Sequence, residues 1–267
     1  MANRKWPIIT LLTDFGLKDP YVASMKGVVL SINPQCTLID ITHQVSPHDI
    51  KEGAFTLAQT YSTFPKGTIH LAVVDPGVGS ARKPVLLVTK NYFFVGPDNG
   101  LFTLALKREK LKKVIALCKM EFFLPTVSST FHGRDVFAPV AASLSLGVKP
   151  ESFGPSIKSW HHIPFPKPAV KQGKLIGEIV HVDAFGNLVS NIDRKSLHQF
   201  SKDYSFNIRI GRRNISGLKK GYWEGKRNEP MALFGSAGFL EISIREENAQ
   251  KTLKVKKGDR VEVRRGA

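Results

Sequence analysis

Over the first 160 or so residues, apolar positions switch repeatedly between short continuous runs and a helical spacing. PIITLLTDF (7–15) reads as a β-run. Asp19-Pro20 then gives a helix start, with Asp19 as the cap and proline at the first helical position, ahead of the helically spaced YVASMKGVVLSI. TLIDIT is strand-like and GAFTLAQTYSTF helical. TIHLAVVD, PVLLVTK and YFFVGP are apolar, β-branched or aromatic strands. KREKLKK (107–113) has the look of the exposed face of a helix end, and FAPVAASLSLG is a short helix closed by Gly147. Strands alternating with helices predict a mostly parallel sheet covered on both faces, an α/β/α sandwich. Near residue 160 the pattern changes. Pro164, Pro166 and Pro168 mark an extended seam, and beyond it KLIGEIVHVD, LVSNI, SFNIRI, MALFG, FLEISI and RVEVRR are short β-runs between polar turns. The expected organisation is an N-terminal α/β domain over 1–163, a proline-rich linker over 164–172, and an all-β barrel or sandwich over 173–267.

Composition narrows the class without changing this picture. With 267 residues, 42% hydrophobic and 23% charged, the chain has enough apolar material for a full-sized core. No apolar run approaches the ~18–20 residues of a membrane span. The basic, briefly apolar start is broken by Asp14, which favours a first strand over a signal peptide. Cys36 and Cys118 lie far apart without metal-type spacing, which points to a reducing cytoplasm. The formal charge of +17 brings a nucleic-acid partner into consideration. The basic residues are dispersed, though, and aromatics are not interleaved with them, so solvated surface is favoured over a nucleic-acid groove.

Four polar motifs fall at or beside the carboxyl ends of predicted strands, where ligands gather in open α/β sheets: TDFG (13–16), DPGVG (75–79), GPDNG (96–100) and FHGRD (131–135). Each alone is ordinary turn chemistry; together they suggest one pocket. DPGVGSARK lacks both the third glycine of a dinucleotide fingerprint and the GK[ST] of a P-loop, and Pro84 denies a helix there. His43 and His48, with Ser46-Pro47 between them, do not share a helix face as metal ligands would. Asp75, Arg82 and His132 make a chemically coherent trio, with a carboxylate, a guanidinium to hold it ionised, and an imidazole able to orient a water. A structural Arg–Asp bridge with a capping His is the competing reading of the same residues.

As a set and in this order, TDFGLKDPYVASMKG, VVDPGVGSARK, GPDNGLF, TFHGRDVFAPVAA, VDAFGNLVSNI and GSAGFLEI resemble the S-adenosyl-L-methionine hydroxide adenosyltransferase family, in the superfamily of the bacterial fluorinase and chlorinase. The resemblance runs from about residue 8 to the C-terminus. It implies an N-terminal α/β domain, a C-terminal β-barrel-like domain, and a homotrimer with active sites between the N-domain of one subunit and the C-domain of the next. It also implies hydrolysis of S-adenosyl-L-methionine to adenosine and L-methionine, with no cofactor and no metal. By motif, Asp75, Arg82 and His132 match the catalytic set that holds the attacking water. Asp14 matches the carboxylate on the ribose diol and Asp19 a residue near the methionine amine. Asp183 and Asn187 match contacts to the methionine end, and Phe185 and Tyr222 stacking faces for adenine. Ser236 matches a contact to the methionine carboxylate, while Asn248 and Ala249 match the segment reading the adenine edge.

The chain departs from the pattern at Gly235-Ser236-Ala237-Gly238, where Asn-Ser-x-Gly is more usual, and His48 stands where the fluorinase has an aromatic. The fluorinase has Tyr in the places of Asp75 and His132 and Ser at Gly133; a carboxylate at Asp75 would repel halide. The alternatives are a halide-dependent 5′-halo-5′-deoxyadenosine synthase and a non-catalytic basic module for adenosine ligands or RNA.

Overall fold

The computed structural model describes residues 7–201 and 206–266. The basic start at residues 1–6 lies outside the described residues. The chain divides into two compact units, Met1–Pro164 and Phe165–Ala267.

In the first unit the order is β1 (Ile8–Thr13), α1 (Tyr21–Ile32), β2 (Thr37–Thr42), α2 (Ile50–Thr60), β3 (Ile69–Val73), β4 (Pro84–Thr89), β5 (Phe93–Pro97), α3 (Thr103–Leu106), β6 (Leu111–Ala116) and α4 (Ala138–Ser145). The strands form one sheet in the order β2-β1-β3-β5-β4-β6. Neighbours are parallel except on either side of β4, so β4 alone is reversed. The period of two along β1 and β3 sends Ile9, Leu11, Leu71 and Val73 to one face, against Met25 and Val29 of α1 and Val140 and Ala141 of α4. It sends Leu12, Ala72 and Val74 to the other, against Ala54 and Leu57 of α2 and Ala105 of α3. Central strands apolar on both faces are what a sheet covered by helices on both sides requires. Among the described residues no helix is long and apolar enough to cross a membrane.

Two local expectations fail. Asp19 does not cap α1: Pro20 occupies the cap position and no side chain bonds the first turn. Proline's own φ of −75° already starts the turn, leaving Asp19 one residue too far out. KREKLKK is not a helix end, because α3 stops at Leu106 and Leu111 opens β6, paired antiparallel to β4. Pairing with β4 outweighs local helix preference, and exposed Lys112 and Lys113 suit an edge strand that must not recruit further strands.

β3 also buries a histidine. His70 is fully buried among Tyr61, Tyr92 and Phe94; its Nδ1 bonds Thr10 Oγ1 at 2.8 Å and its Nε2 has no hydrogen-bond partner among the described residues. Burial lowers its pKa from 6.5 to about 3. The folded state therefore refuses a proton that the unfolded chain accepts. The stability this represents is complete above about pH 6.5 and is lost as pH falls towards 3. Between pH 7.5 and pH 5 the group should account for about 2 kcal/mol of lost stability. Urea unfolding at both pH values should show a shallower pH dependence for His70→Gln than for wild type; equal slopes would contradict the assignment.

Pro164 of the expected linker ends the first unit; in the second, Pro166 and Pro168 lead into β7 (Ala169–Lys171). Gln172 and Gly173, at φ +50° and +69°, then make a two-residue turn into β8 (Lys174–Val182). β9 (Leu188–Asp193), α5 (Arg194–Phe200), β10 (Phe206–Ile210), β11 (Arg213–Ser216), β12 (Pro230–Phe234), β13 (Phe239–Ile244), α6 (Ala249–Leu253) and β14 (Arg260–Arg265) follow. The path β11-β10-β14-β8-β9-β13-β12 is antiparallel throughout. Its two ends, β11 and β12, lie against each other, nearly closing a barrel around Ile179, Leu188, Ile208, Ile242 and Val261. The short helices α5 and α6 were not expected. Asp193 caps one by accepting from Ser196 N at 2.7 Å, and Asn248 caps the other through Lys251 N at 2.8 Å.

Candidate active site

Asp75 stands just past the carboxyl end of β3, where the chain leaves the sheet in a tight turn closed by Val78 N to Asp75 O (3.2 Å) and Ser80 N to Gly77 O (3.1 Å). The turn returns Arg82 to Asp75. Its Nε donates to Oδ1 at 3.0 Å and its Nη2 to Oδ2 at 2.5 Å, a bidentate pair whose side chains are only 9% and 4% exposed. Nη2 also donates to His132 Nδ1 at 2.8 Å. A guanidinium can only donate, so His132 accepts at Nδ1 and carries its proton on Nε2. Burial, and then the charge of Arg82, hold the His132 pKa below its ordinary value and the ring neutral. The third guanidinium nitrogen, Arg82 Nη1, is buried and has no hydrogen-bond partner among the described residues. A buried N–H pair left unbonded is costly unless a ligand or water completes it.

His132 is held by its own loop. A π-helical turn, Gly133–Phe137, follows it, and fully buried Asp135 accepts from Ser128 N (2.9 Å) and Arg134 Nε (2.6 Å). Gly79, at φ +75°, is packed against this loop: a Cβ there would lie 2.3 Å from the Ser129 carbonyl oxygen. Glycine thus lets the two loops of the trio close on each other.

At the end of β1, Asp14 accepts from His48 N at 2.8 Å, while buried His43 bonds Thr13 Oγ1 (2.8 Å) and takes Gly16 N on its carbonyl (2.7 Å). Asp19 is exposed. GPDNG serves as bracing: Asn99 Nδ2 bonds the Val74 carbonyl at 2.8 Å, next to Asp75, and Asp98 takes His161 N at 2.6 Å.

The second unit has a hollow of about 710 Å³ lined by Asp183, Phe185, Asn187, Tyr222, Ser236 and Asn248, six positions singled out in the sequence. Ala249, the remaining one, is fully buried at the start of α6. Both oxygens of Asp183 accept from their own loop: Oδ1 from Phe185 N (3.0 Å) and Asn187 N (2.8 Å), Oδ2 from Asn187 Nδ2 (2.9 Å). Gly186 at φ +87° lies so close to the Asn248 side chain that a Cβ would come within 2.3 Å. This loop presents Phe185 to solvent at 79% exposure. Sequence reasoning missed five lining residues, Ile244, Arg245, Glu246, Glu247 and Glu241, the last of which accepts from the Tyr222 hydroxyl at 2.6 Å.

Residues 9–154 match the family model for the SAM hydroxide adenosyltransferase N-terminal domain, and residues 177–262 match the one for its C-terminal domain. The chain belongs to the S-adenosyl-L-methionine hydroxide adenosyltransferase family. It is 37% identical, over 96% of its length and 95% of the relative's, to a Methanocaldococcus jannaschii protein named (R)-S-adenosyl-L-methionine hydrolase. It is 36% identical, over 94% and 96%, to a Thermus thermophilus protein of the same name. A crystal structure of an uncharacterised conserved protein from Thermotoga maritima matches 96% of this chain and 100% of its own, with a TM-score of 0.90 and 38% identity. In this hydroxide adenosyltransferase family member the Asp75–Arg82–His132 set lies within the matched N-terminal domain and the 710 Å³ hollow within the C-terminal one.

Proposed function

We propose that the protein hydrolyses S-adenosyl-L-methionine to adenosine and L-methionine. The observation that carries this reading is the nearly buried, bidentate Asp75–Arg82 pair with a neutral His132 bonded to the same guanidinium. Those groups make a seat for one oxygen. A water there forms the new bond to C5′; the C5′–S bond breaks, its electron pair goes to sulfur, methionine leaves as a neutral thioether, and the proton lost by the water is released to solvent. The positive guanidinium lowers the energy of hydroxide character on that oxygen. Fixed placement in line with C5′ supplies the rest of the rate.

Asp14 takes the ribose diol and Asp19 the methionine amine. Phe185 and Tyr222 flank adenine, whose edge is read by the Asn248-Ala249 segment; Ser236 takes the methionine carboxylate and Asn187 the methionine end. Asp183, with both oxygens engaged, keeps the Phe185 loop in shape as well as bordering the methionine end. The working form is a homotrimer in which one subunit's N-terminal domain meets the next subunit's C-terminal domain, and it acts in the cytoplasm, where free Cys36 and Cys118 stay reduced.

Incubating the purified protein with S-adenosyl-L-methionine should yield adenosine by chromatography, and Asp75→Ala should abolish it. Adenosine at the spontaneous rate, with the variant equal to wild type, would end the proposal. Because a carboxylate sits beside the oxygen seat, added chloride or fluoride should give no 5′-halo-5′-deoxyadenosine.

A further inference from the structure

The structure assigns a task to Glu241 that goes beyond the Asp75–Arg82–His132 chemistry. We propose that its carboxylate receives the α-ammonium of the substrate's amino-acid end and selects for that group. This rests on the S-adenosyl-L-methionine reading above. β13 alternates, sending Leu240, Ile242 and Ile244 into the barrel core and turning Glu241 and Ser243 to the opposite face. Glu241 is 6% exposed and borders the hollow. Its Oε1 accepts from the Tyr222 hydroxyl at 2.6 Å and from Ser243 Oγ at 2.9 Å. Burial, and then the bond to Glu241, push the Tyr222 phenol above its ordinary pKa, so it stays a donor. Oε2 runs along Gly235, where a Cβ would come within 2.4 Å of it. Among the described residues no basic side chain pairs with Glu241; Arg245, the cation of the same hollow, lies 3.4 Å from Glu246 instead.

A carboxylate accepts at up to about four lone-pair sites, and a buried one without a cation is costly. Two hydroxyls supply hydrogen bonds and no charge. The substrate offers two cations. The sulfonium has no N–H, and it loses its charge as the C5′–S bond breaks. An anion pressed against it would favour the ground state over the transition state and slow the reaction. The α-ammonium keeps its charge throughout and has three donors, enough to serve Asp19 as well. A neutral adenine amine or ribose hydroxyl would leave the carboxylate's charge unmatched. The contact is equally strong before and during the reaction, so it should govern KM and leave kcat nearly unchanged.

The test compares S-adenosyl-L-methionine with an analogue lacking only the α-amino group, in steady-state kinetics and in titration calorimetry. Wild type should bind the analogue about 10- to 100-fold more weakly. Glu241→Gln, which still accepts the Tyr222 and Ser243 protons, should raise KM for the natural substrate by a similar factor with kcat within about threefold. It should also handle both ligands alike. Tyr222→Phe should keep the preference for the amino compound; if it loses that preference, Glu241 acts only by positioning Tyr222 and the proposal fails. Equal binding of the two ligands by wild type, or an undiminished preference in Glu241→Gln, would also overturn it. Absence of adenosine from wild type, by contrast, would sink the hydrolase reading, while the calorimetric comparison still judges Glu241.

Discussion

Arg82→Lys is expected to lower the rate of adenosine formation by about 10²–10³-fold, the effect of removing one preorganised donor from a developing anion. The charge survives in this variant; the geometry does not. Arg82 uses Nε and Nη2 on the two oxygens of Asp75 and shares Nη2 with His132. A lysine ammonium is a point charge on a flexible stem. It cannot hold both carboxylate oxygens in a fork and reach the imidazole as well. The hydrogen bonds that lysine fails to make are those that fix Asp75 and His132 about the attacking oxygen, so kcat should fall far more than KM rises. A far-ultraviolet circular dichroism spectrum matching wild type would show that the sheet is intact. A kcat within tenfold of wild type would mean that Arg82 serves only as a structural partner of Asp75.

Gly79→Ala should be nearly as damaging although residue 79 touches no proposed ligand. At φ +75° an alanine is strained by roughly 1–2 kcal/mol. Its Cβ would also lie 2.3 Å from the Ser129 carbonyl oxygen, a backbone atom that cannot rotate away. Relief requires the turn carrying Arg82 and the loop carrying His132 to separate, and misplacement by ~1 Å can remove about 10² in rate. Gly67→Ala is the control. It too has positive φ, +92°, but a Cβ there meets nothing within 4 Å. Both variants should lose stability in urea unfolding, and only Gly79→Ala should lose about 10² in kcat. Equal activities in the two would show that the packing of the two loops does not position the trio.

The half of the site built by local chain geometry is legible in the sequence. Asp75 and Arg82 sit on one glycine turn after an apolar strand, so their meeting follows from DPGVGSARK itself. His132 lies 50 residues from Arg82 in sequence; its chemistry suggests a partner, but only the packing of Gly79 on Ser129 delivers it. Glu241 is invisible there for a related reason. In FLEISI it looks like the solvent-facing member of an alternating strand, and its burial depends on Tyr222, 19 residues earlier. His70 likewise passes for one more position in an apolar run until the aromatic rings around it are assembled. Where local preference competes with pairing, pairing wins: Leu111-Lys112-Lys113 has the composition of a helix end and the structure of an edge strand. Asp183 borders the hollow as expected and also shapes its own loop by ordinary turn chemistry, a second task that the motif alone does not show.

In the proposed reaction an oxygen held at Asp75, Arg82 and His132 attacks C5′. This step is tested most directly by running the reaction in ¹⁸O-labelled water and locating the label by mass spectrometry. The account predicts one ¹⁸O in the 5′-hydroxyl of adenosine, none in methionine, and no labelled adenosine from Asp75→Ala. Unlabelled adenosine, or label in the amino-acid product, would place the attack elsewhere and contradict it.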